Sequence, residues 1–369
     1  MTEAKLFTDI LTSDYDRYIG RKLKERNKTF DFVRGLAVFF MIIVHVLTVY
    51  SKVEVQDSLF GWVIDFLGSP PAAPVFMFSM GVFYVLSSKS DSLKNGVVRG
   101  VKLILLGCLL SFLRDDLLVL LGRNFTAINY EGSNKLLAIW EIDILQFAGL
   151  AYILMSLIKQ YFKKPVWWLI IAVGIMIVSP ALWGISSNVK FINWIFNYLW
   201  GAGDEVYFPI FGWLFYPLIG MVFGVCMKAY SDTQTLFNSL LKLGLALLAI
   251  GSVITITNFD FHIGDYFRSG PGSMIWIMGF VFVWLWIGNK IIINIRENKI
   301  FNMIYYWSKE ITTIYFIHWI LIMWATIIFG YESHGVLTTV LLMILMVAVS
   351  HLLAKLYKRI KANLKPQLK

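Results

Sequence analysis

Long apolar runs recur along this chain, and they restrict its fold more than any other feature. About ten come close to or exceed the length, roughly 17–25 residues, that carries a helix across a bilayer. They cover 33–50, 72–88, 97–113, 137–158 and 166–183 in the first half, and 209–227, 236–257, 273–289, 311–329 and 335–354 in the second. Hydrocarbon offers the backbone no hydrogen bonds, so only helices and closed barrels can cross it. These runs are continuous and not alternating, which reads as helix. Of the 369 residues, 58% are apolar and only 15% charged, too few polar side chains to clothe a soluble domain of this size. The expected fold is an all-α integral membrane protein, a bundle of about ten transmembrane helices.

The net charge of +10 raises the question of a polyanionic partner. Its distribution answers that question. Lysine and arginine concentrate in 17–34, in the connections holding Lys89, Lys94, Arg99 and Lys102 and then Lys159, Lys163 and Lys164, and in the tail from Lys355 to Lys369. That bias obeys the positive-inside rule when both termini are cytoplasmic, so topology accounts for the basic balance and no nucleic-acid footprint is needed. Residues 1–28 are polar and lack the apolar segment of a cleavable signal, so the first span is expected to insert as its own signal. The organisation read from the sequence is a polar cytoplasmic arm (1–28), a transmembrane domain (29–354) and a basic cytoplasmic tail (355–369), with no obvious internal repeat. Cys108 and Cys226 stand alone in apolar runs, without redox-like or metal-like spacing.

The first span carries the chemistry. In "TFDFVRGLAVFFMIIVHVLTVY" (29–50), Asp31 and Arg34 open an apolar helix and His45 lies well inside it. Eleven residues separate Arg34 from His45, which returns to nearly the same helix face roughly 16 Å further along the axis. Asp31 lies near that face too. Arg34 alone reads equally as a topology anchor whose stem snorkels to the interface. His45 sits too deep for that, and buried ionisable groups in membrane helices mark sites or pathways, a helix-to-helix hydrogen bond being the competing reading. Imidazole suits proton transfer near neutral pH and can also act as a nucleophile. A guanidinium at the inner mouth suits a phosphate-bearing ligand.

The segment "FDFVRGLAVFFMIIVH" resembles the opening span of the transmembrane acyltransferase superfamily, which includes bacterial polysaccharide O-acetyltransferases and the heparan-α-glucosaminide N-acetyltransferase group. Further stretches are similar to family patterns in the same order: "PVFMFSMGVFYVLSS" (74–88), "DILQFAGLAYIL" (143–154), "FPIFGWLFYPLIGMVFG" (208–224) and "IYFIHWILI" (314–322). The resemblance implies an acyl donor, typically acetyl-CoA, bound from the cytoplasm as a substrate, with no tightly held cofactor. It implies transfer to a hydroxyl or amine of an extracytoplasmic saccharide or lipid-linked acceptor, in a bacterial cytoplasmic membrane, as polysaccharide modification of the cell envelope; a homo-oligomer is compatible with it. His45 matches the catalytic histidine, as general base or acyl carrier. Asp31 and Arg34 match the donor side, and Arg99 and Lys102 approximate a basic cluster at the start of the third span, with Lys where some members carry Arg.

Other groups could belong to the cavity. His318, with Tyr315 one turn before it, places a second imidazole in the ninth span, either lining the same cavity or bonding a neighbouring helix. Glu141 and Asp143 lie at the outer mouth of the fourth span, where carboxylates are commonly just solvated but can orient an acceptor. His351 reads as interfacial, and His262 and His334 carry no metal-like spacing, so no metal site is expected. The outer connections 114–136, 184–208 and 258–272 are rich in aromatic and acidic residues, which suits an interfacial belt or a saccharide-lined site. There is no Gly-x-Ser-x-Gly elbow, no P-loop, and no His followed five positions later by Asp. A proton-coupled exporter of a saccharide or lipid-linked substrate is the alternative reading, since intramembrane histidines serve that role too. The orientation makes a direct prediction. A fluorescent protein fused after Lys369 should fold and fluoresce in the cytoplasm, and alkaline phosphatase at the same point should be inactive; active phosphatase would reverse the topology.

Overall fold

A computed structural model describes residues 3–18, 27–87, 92–122, 141–201, 206–230 and 232–364. In chain order its helices are α1 (Glu3–Thr12), α2 (Lys28–Tyr50), α3 (Val53–Gln56), α4 (Leu59–Gly68), α5 (Ala73–Leu86), α6 (Leu93–Ser111) and α7 (Leu117–Gly122). They continue with α8 (Ile144–Tyr161), α9 (Pro165–Leu182), α10 (Lys190–Trp200), α11 (Ile210–Trp213), α12 (Phe215–Ala229) and α13 (Thr233–Thr257). The last are α14 (Phe259–Ile263), α15 (Pro271–Asn294), α16 (Lys299–Lys309), α17 (Ile311–Phe329) and α18 (Val336–Leu364). Among the described residues no β-strand forms; the only ladder contacts are two isolated bridges, Ser51 with His334 and Ile142 with Val206. The protein is an all-α membrane protein.

Among the described residues eight helical stretches are long and apolar enough to cross a membrane: α2, the stretch Leu59–Leu86, α8, α9, α13, α15, α17 and α18. Each of the ten apolar runs read from the sequence meets a helix where it is described, but two fall outside these eight. Helix α6 carries Lys94, Arg99 and Lys102, and α12 has 15 residues. The Leu59–Leu86 stretch breaks at 69–72, where Pro70 and Pro71 withdraw two backbone donors. Apolar side chains point outward on α13 (Val253, Ile256), α17 (Ile328) and α18 (Leu337, Ile344), as lipid-facing positions should.

Contacts divide the chain into two compact units. The first comprises 1–27, 74–108 and 140–290, and its helices approach one another at glycines. A Cβ added to Gly81 of α5 would strike the Pro217 carbonyl of α12, and one added to Gly220 would strike the Phe78 carbonyl of α5. Gly100 of α6 and Gly149 of α8 face each other in the same way, each 2.5 Å from the other's carbonyl once a Cβ is built. Lipid tails are as apolar as leucine, so close backbone approach and dispersion hold membrane helices together where the hydrophobic effect does not. The N-terminal arm joins this unit through buried Ile10, Tyr15 and Tyr18, with the Tyr15 N–H donating to the Lys163 carbonyl at 2.7 Å.

The second unit comprises 28–73, 109–139 and 291–369 and is organised around α2. Gly35 lets α16 rest its backbone at Ile304 against α2, and Phe32 and Phe39 stack on Phe301 and Trp307. Asn298 caps α16 by accepting from the amides of Ile300 and Phe301 at 2.9 and 3.2 Å. Lys28 bridges Glu297 at 2.6 Å and holds that carboxyl below its ordinary range, so this exposed tie is present at neutral pH and weakens only as acid protonates Glu297. At the other end of α2, the amides of Glu332, Ser333 and His334 donate to the carbonyls of Val49 and Tyr50, satisfying groups a helix terminus leaves open. The glycine contacts predict that Gly220→Leu lowers the melting temperature of the detergent-solubilised protein, through overpacking of about 1–3 kcal/mol. Gly174→Leu, where an added Cβ meets nothing within 4 Å, should leave it unchanged.

Candidate active site

The polar residues of α2 lie on the second unit. Asp31 is buried in the first turn and accepts from the Ser308 hydroxyl of α16 at 3.3 Å. Arg34 is half-buried one turn later. Three turns on, His45 meets His318 of α17, with Nδ1 of His45 2.9 Å from Nε2 of His318. The Nδ1 of His318 lies 3.0 Å from the Ile314 carbonyl one turn earlier in its own helix. His318 is fully buried, and Tyr315 packs edge-on against it at 5.3 Å. The two histidines read separately from the sequence are thus one hydrogen-bonded pair, 273 positions apart in the chain.

Two further residues complete the setting, and neither was singled out from the sequence. Trp319 lies against His45 with ring centroids 4.0 Å apart, and the Arg114 guanidinium covers the same indole at 4.7 Å. The indole therefore touches an imidazole and a cation, and its Nε1 is buried with no hydrogen-bond partner among the described residues. Arg114 was placed in the outer connection 114–136. Instead the chain continues from α6 through a π-helical turn, Phe112–Asp116, into α7, and this turn buries Arg114 and Asp116; residues 123–136 lie outside the described residues. One extra residue in a helical turn shifts the face on which side chains emerge, and such turns recur at functional sites. The Trp324 indole of α17 donates to the Leu113 carbonyl at 2.9 Å and so fastens the turn to the helix that carries His318. Arg114 also binds Asp115 at 2.7 Å. A signal existed in the sequence: "RDD" interrupts a run that is otherwise uncharged from Leu103 to Leu121, and charges in such a place need partners.

The remaining candidates belong to the first unit. Arg99 and Lys102 are exposed on α6, with the Arg99 guanidinium over the Tyr152 ring at 4.5 Å. Asp143 is buried and caps α8 by accepting from the Ile144 amide at 2.7 Å, and Glu141 precedes it, half-buried. The same unit holds a shallow cleft lined by Ser179, Trp213, Tyr216, Tyr266, Phe267 and Arg268, among others. Its rings pack edge to face, Trp213 against Tyr266 at 5.6 Å and Tyr266 against Phe267 at 5.2 Å. Among the described residues no group of three or more His, Cys, Asp or Glu could hold a metal ion.

Residues 26–253 match the family described as heparan-alpha-glucosaminide N-acetyltransferase, catalytic. The chain belongs to this family. No curated protein matches it in sequence. Membership makes the chain a membrane-embedded acetyltransferase in general terms. The matched stretch contains His45, Arg34 and the π-helical turn but ends before α17, so the acetyltransferase match does not reach His318 and Trp319. The buried Arg114–Asp115 pair yields a prediction. Removing one partner of a buried pair strands the other, a cost of about 3–5 kcal/mol. Arg114→Gln should therefore lower the melting temperature and the activity together, whereas Arg99→Gln on the exposed face of α6 should not change the melting temperature.

Proposed function

We propose that the protein transfers an acetyl group from cytoplasmic acetyl-CoA to a hydroxyl or amine of an extracytoplasmic saccharide or lipid-linked acceptor, with His45 as general base. The observation that carries this reading is the pairing of His45 with His318 within a wall of Tyr315, Trp319 and Arg114. An imidazole held this way can take the proton of an acceptor O–H or N–H as the acceptor oxygen or nitrogen attacks the thioester carbonyl. The carbon–sulfur bond then breaks, and the thiolate of CoA leaves with the proton that His45 returns. Acetyl-CoA becomes CoA, the acceptor becomes its acetyl ester or amide, and the enzyme is restored.

On the donor side, Arg34 follows Asp31 in the first turn of α2, and a planar guanidinium suits the phosphates of CoA. Arg99 and Lys102 are further donor-binding candidates by the same chemistry. A saccharide acceptor is supported by the family description. Glu141 and Asp143 are candidates for the acceptor side. The orientation proposed with this reading keeps both termini in the cytoplasm.

The test uses purified protein in lipid nanodiscs with radiolabelled acetyl-CoA and a panel of saccharide and lipid-linked acceptors. His45→Ala should lose transfer by about 10²–10⁴-fold, the usual worth of a general base, with acetyl-CoA still bound. Arg34→Gln should raise the KM for acetyl-CoA by about tenfold or more, as loss of a charge-assisted hydrogen bond would. Equal transfer by wild type and His45→Ala would remove the reading. Proton-driven uptake of saccharide without any use of CoA would replace it by a carrier.

A further inference from the structure

We propose that His318 is a positioning residue that fixes the tautomer of His45, leaving Nε2 of His45 as the bare, reacting nitrogen. This inference rests on the general-base reading above and goes beyond it by assigning the proton on each ring.

The assignment follows from the hydrogen-bond chain. Nδ1 of His318 lies 3.0 Å from the Ile314 carbonyl oxygen, which can only accept. Nδ1 of His318 must therefore carry a proton. In a neutral imidazole one nitrogen donates and the other accepts, so Nε2 of His318 is bare. That bare nitrogen lies 2.9 Å from Nδ1 of His45, and two bare nitrogens would repel. Nδ1 of His45 accordingly carries the proton and donates it to His318. The remaining nitrogen of His45, Nε2, keeps its lone pair.

The consequence is specific. Imidazole in water favours the tautomer with the proton on Nε2, the form in which this nitrogen could not act as a base. A chain that starts at an immovable backbone carbonyl and ends at His45 selects the opposite form. It does the work that a carboxylate performs for histidine in serine hydrolases, where the wrong tautomer abolishes most catalysis. Here both members are neutral. Trp319 restrains the ring by a second route, since its indole lies flat on the imidazole with an interplanar angle of 27°. Orientation is thus set by a face contact and protonation by an edge contact. The nearby charged groups on the packed elements are Arg114, over Trp319, and its partner Asp115. Neither is needed to define the tautomer.

The chemical step balances with this assignment. Nε2 of His45 takes the acceptor proton, giving an imidazolium whose Nδ1–H still points at Nε2 of His318. The positive charge can be shared along that hydrogen bond until the leaving thiolate reclaims a proton from Nε2 of His45. The proton taken from the acceptor is matched by the one given to the thiolate, so the pair neither gains nor loses a proton overall and the resting tautomers are regenerated.

The test has a spectroscopic arm that needs no activity. The chain has five histidines, so a ¹⁵N-histidine sample in nanodiscs gives a small set of ring signals, and comparison with His45→Asn identifies those of His45. The proposal expects a bare Nε2 and a protonated Nδ1 on His45 in the wild-type resting enzyme. A protonated Nε2 overturns it, whatever the catalytic role of His45 proves to be. The kinetic arm compares two variants. His318→Leu cannot accept a hydrogen bond, and kcat should fall about 10- to 100-fold, the worth of a lost hydrogen bond to a group that becomes charged. The KM for acetyl-CoA should stay within about twofold of wild type, because His318 is not assigned to donor binding. His318→Gln places an amide oxygen near the position of Nε2, and it should recover most of kcat together with the wild-type His45 signals. Unchanged kcat in His318→Leu, or equal losses in the Leu and Gln variants with wild-type His45 signals in both, would reduce His318 to a packing residue. If His318→Leu does not fold, the wild-type spectrum and His318→Gln still decide the matter.

Discussion

Hydrocarbon cannot make hydrogen bonds, and the arrangement of this protein follows from that. Polar groups carried into the bilayer by an apolar helix are costly unless the protein itself supplies their partners. The two histidines answer that need mutually, and the inner one is completed by a carbonyl of its own helix. The last carbonyls of α2 are met by the amides of 332–334, and the tryptophan at 324 serves a carbonyl of the π-helical turn. The site is therefore an extension of the way the helices are held. The groups that satisfy the membrane constraint at His45 and His318 are the same groups to which the proposed chemistry is assigned.

Helix contacts outside these polar links rest on the absence of side chains. In the first unit, carbonyls occupy the places where Cβ atoms would stand on Gly81, Gly220, Gly100 and Gly149. In the second, Gly35 performs that role beneath α16. Backbone approach of this kind gives rigid, short-range packing.

The sequence made the membrane class, the helical content and the ionisable groups of α2 legible, because hydropathy and helical period are local properties. His45 stood out by depth alone, and its face relation to Arg34 needed only the pitch of a helix. What the sequence withheld were relations across the chain. No local signal shows that His318 meets His45 from 273 residues away, or that Trp319 lies between an imidazole and a guanidinium. The sequence reading ends the third span at 113 and opens an outer connection at Arg114, where "RDD" is polar. The structure buries Arg114 and Asp116 by adding a residue to one helical turn, a change that hydropathy cannot register. Helix α16 escaped because mixing Lys299 and Asn302 with Phe301 and Ile304 keeps its average hydropathy low, while its buried face is continuous.

The order of these elements along the chain has a consequence for biosynthesis. His45 enters the membrane with α2, among the first helices made, whereas His318 and Trp319 arrive on α17, near the end. Until then the early imidazole has neither the partner that assigns its proton nor the indole that holds its plane. Both rings are uncharged in the proposed resting state, so neither imidazole carries a charge into lipid as its helix is inserted. A partly synthesised chain would thus lie in the bilayer as an inert bundle. Reactivity would begin when the penultimate helix docks, which ties the birth of the base to completion of the fold around it.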